Sequence, residues 1–434
     1  MSLLLSQQSL SLDHHAFAQI LATTENLLMI QDLDGVCMGL VNDPLTRSIS
    51  ADYIKATQAF DPHFYVLTNG EHVGRRGMNR IVEQALAADA ETATATTTTT
   101  TSSAQAEAIY LPGLAAGGVQ WQSRNGKGGH PGVSDAELLF LKTIPQQIQE
   151  CLQDFCHVHA CPTELINHFD TYLASAILDN MASPSANLNR LYPLFVKDID
   201  TFVALQDTLR SRFEALLAQA EDQGLGDSFF IHYAPNLGRD ANGKEIVWFG
   251  NANQSGTTDF QFMLRGAIKE AGVLALLNHY YFLRTGSYPL GQHFNARQAP
   301  QALDILVDLA TKHFDPAIMP TIVGVGDTIT SQQQGDQVKR GGSDRNFLQL
   351  IQNLNQPFNS GNLTVYVDSS GGELKNRQPL KLAQQDGAQK VIQGPGDGAD
   401  PLRLNVAFPG GHDQYCQVFV KAARDRLQTL PPHI

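Results

Sequence analysis

The apolar positions of this chain follow two rhythms. Short runs that are apolar at nearly every position, each ending in a polar or glycine-rich tip, occur at residues 26–31, 64–67, 319–325, 363–367 and 402–407. A strand apolar throughout is covered on both faces, which predicts a parallel sheet with helices on either side. Between the runs lie segments of helical spacing. They cover residues 15–22, residues 51–60 capped by Ser50, the apolar stretch 266–284, residues 346–354 opened by Ser343-Asp344, and a last helix ending near 427. Strand, helix and strand again is the rhythm of an α/β fold with a doubly wound parallel sheet. Ligands in such folds bind outside the carboxyl ends of the strands, so the polar tips are where chemistry is expected.

From about residue 75 to residue 253 this alternation breaks down. The pattern there predicts a capping box at Ser134-Asp135-Ala136-Glu137 opening a helix toward 156, and an amphipathic helix over 195–221 stopped by Gly224. A strand at 229–233 and a loop at 236–240 follow. A chain of 434 residues exceeds what one core usually supports. We therefore expect a core of residues 1–74 and 254–434 and an inserted α+β domain of residues 75–253. The Thr/Ala/Ser tract at 91–106 has no apolar period and reads as a flexible surface loop.

The first run ends in Asp32-Leu33-Asp34-Gly35-Val36. Two carboxylates one residue apart repel unless a cation lies between them or one takes a proton, so Mg²⁺ held by oxygen ligands is expected. The neighbouring run ends in Thr68-Asn69-Gly70, whose hydroxyl suits a phosphoryl oxygen because it donates without adding charge. A third run ends in Gly326-Asp327. Each tip taken alone also fits a plain turn, and the order of the signals decides between the readings.

Composition narrows the field. A net charge of −13 argues against nucleic acid or an anionic membrane as partner. No stretch approaches the ~20 apolar residues of a membrane span. The N-terminus lacks the basic region of a secretion signal, and an odd set of five cysteines fits a reducing cytoplasm. Cys151, Cys156 and Cys161 recur every five residues, a spacing wrong for zinc, and on a helix five residues turn by roughly 140°, scattering the thiols.

Asp32-Leu33-Asp34-Gly35-Val36 resembles motif one of the haloacid-dehalogenase (HAD) superfamily of aspartate-nucleophile phosphatases. Thr68 then matches motif two, Lys269 at the head of Lys269-Glu270-Ala271-Gly272 resembles motif three, and Gly326-Asp327 resembles motif four. The resemblance implies that Asp32 attacks phosphorus, Asp34 exchanges protons, and Thr68 and Lys269 hold the phosphoryl oxygens. It implies Mg²⁺ on the carboxylates of Asp32 and Asp327, on the backbone carbonyl of Asp34 and on a second motif-four acid. Residues 331–341 interrupt that last motif, so we expect them to form a hairpin or loop insertion with Asp344 as the second acid. Asp336 is the rival, and N-capping is the plain role for Asp344. Lys244 competes with Lys269. The inserted domain corresponds to a cap of the C2 type, which closes over the site and selects the leaving group.

Longer words carry a narrower resemblance. Tyr110-Leu111-Pro112-Gly113-Leu114-Ala115-Ala116-Gly117-Gly118, His232-Tyr233-Ala234-Pro235-Asn236-Leu237-Gly238-Arg239-Asp240 and Phe408-Pro409-Gly410-Gly411-His412-Asp413 resemble the cyanobacterial glucosylglycerol-phosphate phosphatases. That family implies glucosylglycerol 3-phosphate as substrate, a place in compatible-solute synthesis during salt acclimation, and glucosylglycerol-phosphate synthase as a partner. Sucrose or trehalose phosphate, a phosphosugar mutase, and a non-catalytic regulator of the glycosyltransferase remain open at this point. A polyol reader needs hydroxyl-binding side chains and an aromatic platform. The candidates are Asn69, Trp121, His130, Asn187, His232, Asn236, Arg239 and Asp240, with two or three expected in the site, and His412 at the crevice or capping the last helix.

Overall fold

In the computed structural model, which describes residues 10–94, 109–240, 244–334, 337–374, 377–385, 387–394 and 396–430, the strand Leu27–Gln31 is buried at every position. Its side chains alternate between two cores. Leu27 and Met29 join Phe64, Val66, Val323 and Val325 on one face, and Leu28 and Ile30 join Tyr65, Leu67 and Ile322 on the other. Each such side chain contributes about 1.5–3 kcal/mol by leaving water. Covered on both faces, the strand has one position open to it, the middle of the sheet.

That sheet has eight strands in the order Val406–Phe408, Leu363–Val367, Thr321–Gly326, Leu27–Gln31, Phe64–Leu67, Gly113–Ala115, Gln120–Gln122, Gly128–Gly129. The first six are parallel, Gln120–Gln122 runs antiparallel to them, and Gly128–Gly129 pairs antiparallel with Gln120–Gln122. The helix Lys269–Thr285 lies against it, buried along most of its length and closed by Gly286 in the left-handed conformation.

The second domain is built on an antiparallel sheet in the order Ile177–Leu178, Ser185–Asn187, Asp259–Leu264, Phe229–Ala234. Alternation along Asp259–Leu264 sends Phe260 and Phe262 into a core with Phe140, Phe213 and Phe229. Asp259 and Gln261 therefore share the opposite face.

These pairings correct the expected boundaries. Residues 113–129 extend the core sheet, so the chain enters the cap after residue 129 and not at 75. Strand Asp259–Leu264 belongs to the cap, so the return comes after 264 and not at 253. The helix expected over 134–156 is two, Asp135–Leu141 and Ile144–Val158, because Pro145 lacks the N–H needed to continue a helix and sits in a first turn. The helix expected over 195–221 runs Ile199–Asp222, and the final strand starts at Val406, later than 402. Strands Thr330–Gln334 and Gln337–Gly341 pair antiparallel as the expected hairpin, while the pairing of Lys381–Gln385 with Ala388–Gln393 was not legible in its polar sequence. Asp336 and most of the Thr-rich tract lie outside the described residues. The helical estimate for the cysteines fails because the helix ends at Val158. The chain folds back and brings Cys156 Sγ to 2.7 Å from Cys161 Sγ. Among the described residues no helix is long and apolar enough to cross a membrane.

Polar bonds join the two domains. Arg297 of the core donates to the Gly132 carbonyl at 2.6 Å and the Arg265 carbonyl at 3.0 Å, and forks onto Glu137 at 2.7 and 3.0 Å. Glu71 accepts the N–H groups of Met181, Ala182 and Ser183, Arg76 pairs with Asp179 at 2.7 Å, and Arg190 of the cap pairs with Asp43 at 3.0 Å.

Candidate active site

Asp32 follows directly on the buried first strand, and its N–H extends the ladder to the Val325 carbonyl at 2.9 Å. Its position is therefore fixed by the sheet. Oδ1 accepts the Leu33 N–H at 2.8 Å, and Oδ2 lies 2.6 Å from Lys269 Nζ. The same ammonium is 2.7 Å from Asp344 Oδ1. Asp344 Oδ2 accepts the N–H groups of Asp327 at 2.9 Å and Thr328 at 3.0 Å. Although Asp344 precedes the helix Arg345–Asn353, its side chain makes no capping bond there. The carboxylate is turned toward Lys269 and the Asp327 and Thr328 N–H groups and does not cap the helix.

The carboxylate oxygens of Asp32, Asp327 and Asp344 lie within 4.8 Å of one another, all three residues buried. Burial pushes the Asp32 carboxyl well above its usual range, with Lys269 pulling against the shift and Asp344 and Asp327 adding to it. Burial likewise pushes Asp327 up to about 7, against the pull of Arg377. Burial works on Asp344 in the same sense, but Lys269 and the two backbone N–H groups outweigh it and hold this carboxyl below its ordinary value. Burial alone would discharge Lys269, yet Asp32 and Asp344 hold it charged above its ordinary value.

Three carboxylates facing one ammonium leave negative charge unbalanced in a dry site, an arrangement that a cation relieves. Asp327 Oδ2 is buried and makes no hydrogen bond among the described residues. A Cβ on Gly35 would stand 2.2 Å from that same oxygen, so only glycine lets the catalytic loop approach it, and its φ of +82° favours glycine as well. An all-oxygen donor set with an orphaned carboxylate oxygen fits a hard divalent ion such as Mg²⁺.

Beside this cluster stand Thr68 and Asp34. Thr68 is buried at the tip of its strand and its Oγ1 accepts the Gly70 N–H at 3.2 Å. Asp34 is partly exposed and its oxygens meet Arg47 Nη1 at 3.0 and 3.3 Å. Arg47 went unseen in the sequence because a lone arginine in a turn has no periodic neighbour to mark it.

The remaining candidates separate. Asn187 donates to Asp259 at 2.6 Å, and the register puts both on the same face of the cap sheet as His232. His232 meets Glu245 at 3.0 Å, and Asn236 Nδ2 donates to the same carboxylate at 3.1 Å. Burial pushes Asp259 up to about 6. Asp259 and Gln261 were missed, although the strict alternation Asp259-Phe260-Gln261-Phe262 was the signal for a polar sheet face.

Trp121 and His130 are corrections. Trp121 sits in the core sheet with its ring against Tyr65 and His279, and His130 meets Gln120 of the same sheet at 3.1 Å. The aromatic ring expected in the cap thus packs on the core edge, and the imidazole is hydrogen-bonded there. Asp240 is exposed and its carboxylate accepts the N–H of Lys244, the rival to Lys269, at 2.9 Å. The Arg239 side chain lies outside the described residues. Asn69 is half-buried beside Thr68, and His412 opens the last helix with Cε1 3.2 Å from where a Cβ on Gly39 would stand.

Comparison with known proteins assigns the chain to a family. Residues 26–423 match the model of the glucosylglycerol-phosphate phosphatase family. The chain is 56% identical over 431 residues to the glucosylglycerol-phosphate phosphatase of Synechocystis sp., covering 98% of this chain and 99% of that one. Solved structures similar to it include trehalose-6-phosphate phosphatase of Aspergillus fumigatus, 10% identical with a TM-score of 0.35, covering 96% of this chain and 99% of that one. A second is the C-terminal domain of the C. albicans trehalose-6-phosphate phosphatase, 9% identical with a TM-score of 0.42, covering 96% and 98%. With a match spanning most of its length and a relative at that identity, this chain belongs to the glucosylglycerol-phosphate phosphatase family.

Proposed function

We propose that this phosphatase hydrolyses glucosylglycerol 3-phosphate to glucosylglycerol and inorganic phosphate through an aspartyl-phosphate on Asp32. The observation that carries the reading is the Asp32–Lys269 pair at 2.6 Å inside a buried acidic cluster, in a chain of this family. Phosphate monoesters hydrolyse very slowly in water, so the enzyme has to align a nucleophile and offset charge.

Asp32 Oδ attacks phosphorus while the ester P–O bond breaks, and Asp34 gives its proton to the departing alkoxide. Asp34 then takes a proton from water as that water attacks the phosphorus of the acyl phosphate, which frees phosphate and restores Asp32. The Lys269 ammonium and the Thr68 hydroxyl hold the phosphoryl oxygens as charge builds on them. Asp32, Asp327, Asp344 and the backbone carbonyl of Asp34 would hold Mg²⁺. When bound, the ion offsets the repulsion between a carboxylate nucleophile and an anionic phosphate.

The polar face of the cap sheet, with Asn187, Asp259 and His232, suits the hydroxyls of a glucosyl-glycerol group. The reaction would then complete compatible-solute synthesis in the cytoplasm, downstream of glucosylglycerol-phosphate synthase, which we expect as a partner. The test is phosphate release from glucosylglycerol phosphate beside sucrose and trehalose phosphates, with and without Mg²⁺, for wild type and Asp32→Asn. Release confined to the first ester, dependent on metal and abolished in the variant, is expected. Undiminished release by the variant would sink the mechanism, and release confined to another sugar would discard the substrate.

A further inference from the structure

Arg47 is held at three of its nitrogens. Nε donates to the Pro44 carbonyl at 3.1 Å, Nη2 to the Arg76 carbonyl, and Nη1 to both oxygens of Asp34 at 3.0 and 3.3 Å. Its side chain is only 12% exposed. An arginine locked in this way is pre-organised, because little rotamer freedom is left to lose when it takes a further bond. A Cβ built on Gly70 would stand 3.7 Å from Arg47 Nη1, 3.7 Å from Thr68 Oγ1 and 3.8 Å from Asp34 Oδ2. Three polar groups from three separate segments thus converge on one point, and glycine leaves that point clear.

We propose that Arg47 is a specificity residue for the alcohol half of the ester. This inference rests on the aspartyl-phosphate reading, which puts the phosphoryl group between Asp32, Thr68 and Lys269 and the departing oxygen at Asp34. A donor 3.0 Å from Asp34 Oδ2 then lies within reach of the same oxygen and of hydroxyls next to it. Arg47 aims Asp34 at the bridging oxygen and binds a vicinal hydroxyl or ether oxygen of a polyol leaving group. An ester without such oxygens, whose alcohol departs as a stable anion, has no use for it.

The discriminating pair of substrates is glucosylglycerol phosphate, or glycerol 3-phosphate as its truncated form, against p-nitrophenyl phosphate. The aryl ester offers no hydroxyls, and its phenolate leaves without a proton. For Arg47→Gln we expect kcat/KM on the polyol esters to fall about 100-fold, with KM rising, and to fall far less on the aryl ester. Arg47→Lys, which keeps the charge but not the fork, should lie between. Equal losses on both kinds of ester, or no loss on either, overturn the proposal, and an unchanged melting temperature separates the expected result from misfolding. Asp32→Asn is measured alongside. If it abolishes release from every ester while the Arg47 variants do not discriminate, Arg47 alone is misassigned. If it leaves release intact, the underlying mechanism falls instead.

Discussion

Lys269 Nζ and Asp32 Oδ2 stand 2.6 Å apart, both side chains less than one-tenth exposed. This pair joins the first turn of a core helix to the end of the central strand, so the chemistry and the packing share one contact. Replacing Lys269 by Met removes the cation that faces Asp32 and Asp344 while keeping most of the volume. Phosphate release should drop by about 10²–10³-fold, as when one donor to a developing charge is lost. Breaking a buried pair from one side also costs about 3–5 kcal/mol of stability. Turnover and thermal unfolding read the two effects separately, and full turnover in the variant would remove Lys269 from the mechanism.

If Asp32, Asp327 and Asp344 hold Mg²⁺ as proposed, the ion should stabilise the folded protein independently of turnover, because only the fold assembles those carboxylates. At a hundred times its dissociation constant the ion is worth about 2.7 kcal/mol. Thermal unfolding with and without Mg²⁺ measures this. Asp327→Asn should abolish the shift, whereas Asp413→Asn, at an exposed acid on the last helix, should leave it in place.

Gly35→Ala drives a methyl group into Asp327 Oδ2, 2.2 Å away. The loop or the carboxylate has to move, and overpacking of this kind costs about 1–3 kcal/mol. We expect the metal-induced rise in melting temperature to shrink and turnover to fall by at least about tenfold, since about 1.4 kcal/mol is a factor of ten. Normal metal stabilisation in this variant would show that Gly35 does not shape the site.

Glu137 gives the stability an acid limb. Burial alone would raise its carboxyl, but Arg297 and the Ser134 N–H outweigh it and bring it down to about 2. A depressed carboxyl contributes stability that is present above its unfolded value of about 4.5 and is lost as pH falls toward 2. Because water reaches this boundary, the contribution is no more than about 1–2 kcal/mol. Glu137→Gln should be less stable at neutral pH and flatter between pH 4.5 and 2 than the wild type in equilibrium unfolding. Parallel curves would mean that the pair contributes nothing.

The residues of the proposed site were legible because each stands at one end of a strongly patterned element. Asp32, Thr68 and Asp327 finish runs of buried residues, and Lys269 heads a helix buried along most of its length. Even Asp344 could be placed across the 331–341 insertion, since a hairpin adds length without moving the strands that flank it. The domain boundary was not legible. Strand Gly113–Ala115 is three residues of small and apolar side chains, too short to show a period, and it is a strand because Phe64–Leu67 offers it an edge. Trp121 was assigned to a sugar platform from its chemistry, but tertiary packing against Tyr65 and His279 decided its place. Arg47, Glu71 and Arg297 act through partners far away in the chain, which no local pattern reveals.

The bonds of Arg297 have a mechanical consequence. Both chain crossings into the cap, at Gly132 and Arg265, are gripped by one guanidinium, while the other ties across the boundary are separate ion pairs and backbone bonds. One side chain is thus the clasp on both crossings: they cannot part without first releasing Arg297, while the buried Glu71 carboxylate and the pairs Asp43–Arg190 and Arg76–Asp179 hold the cap at other places.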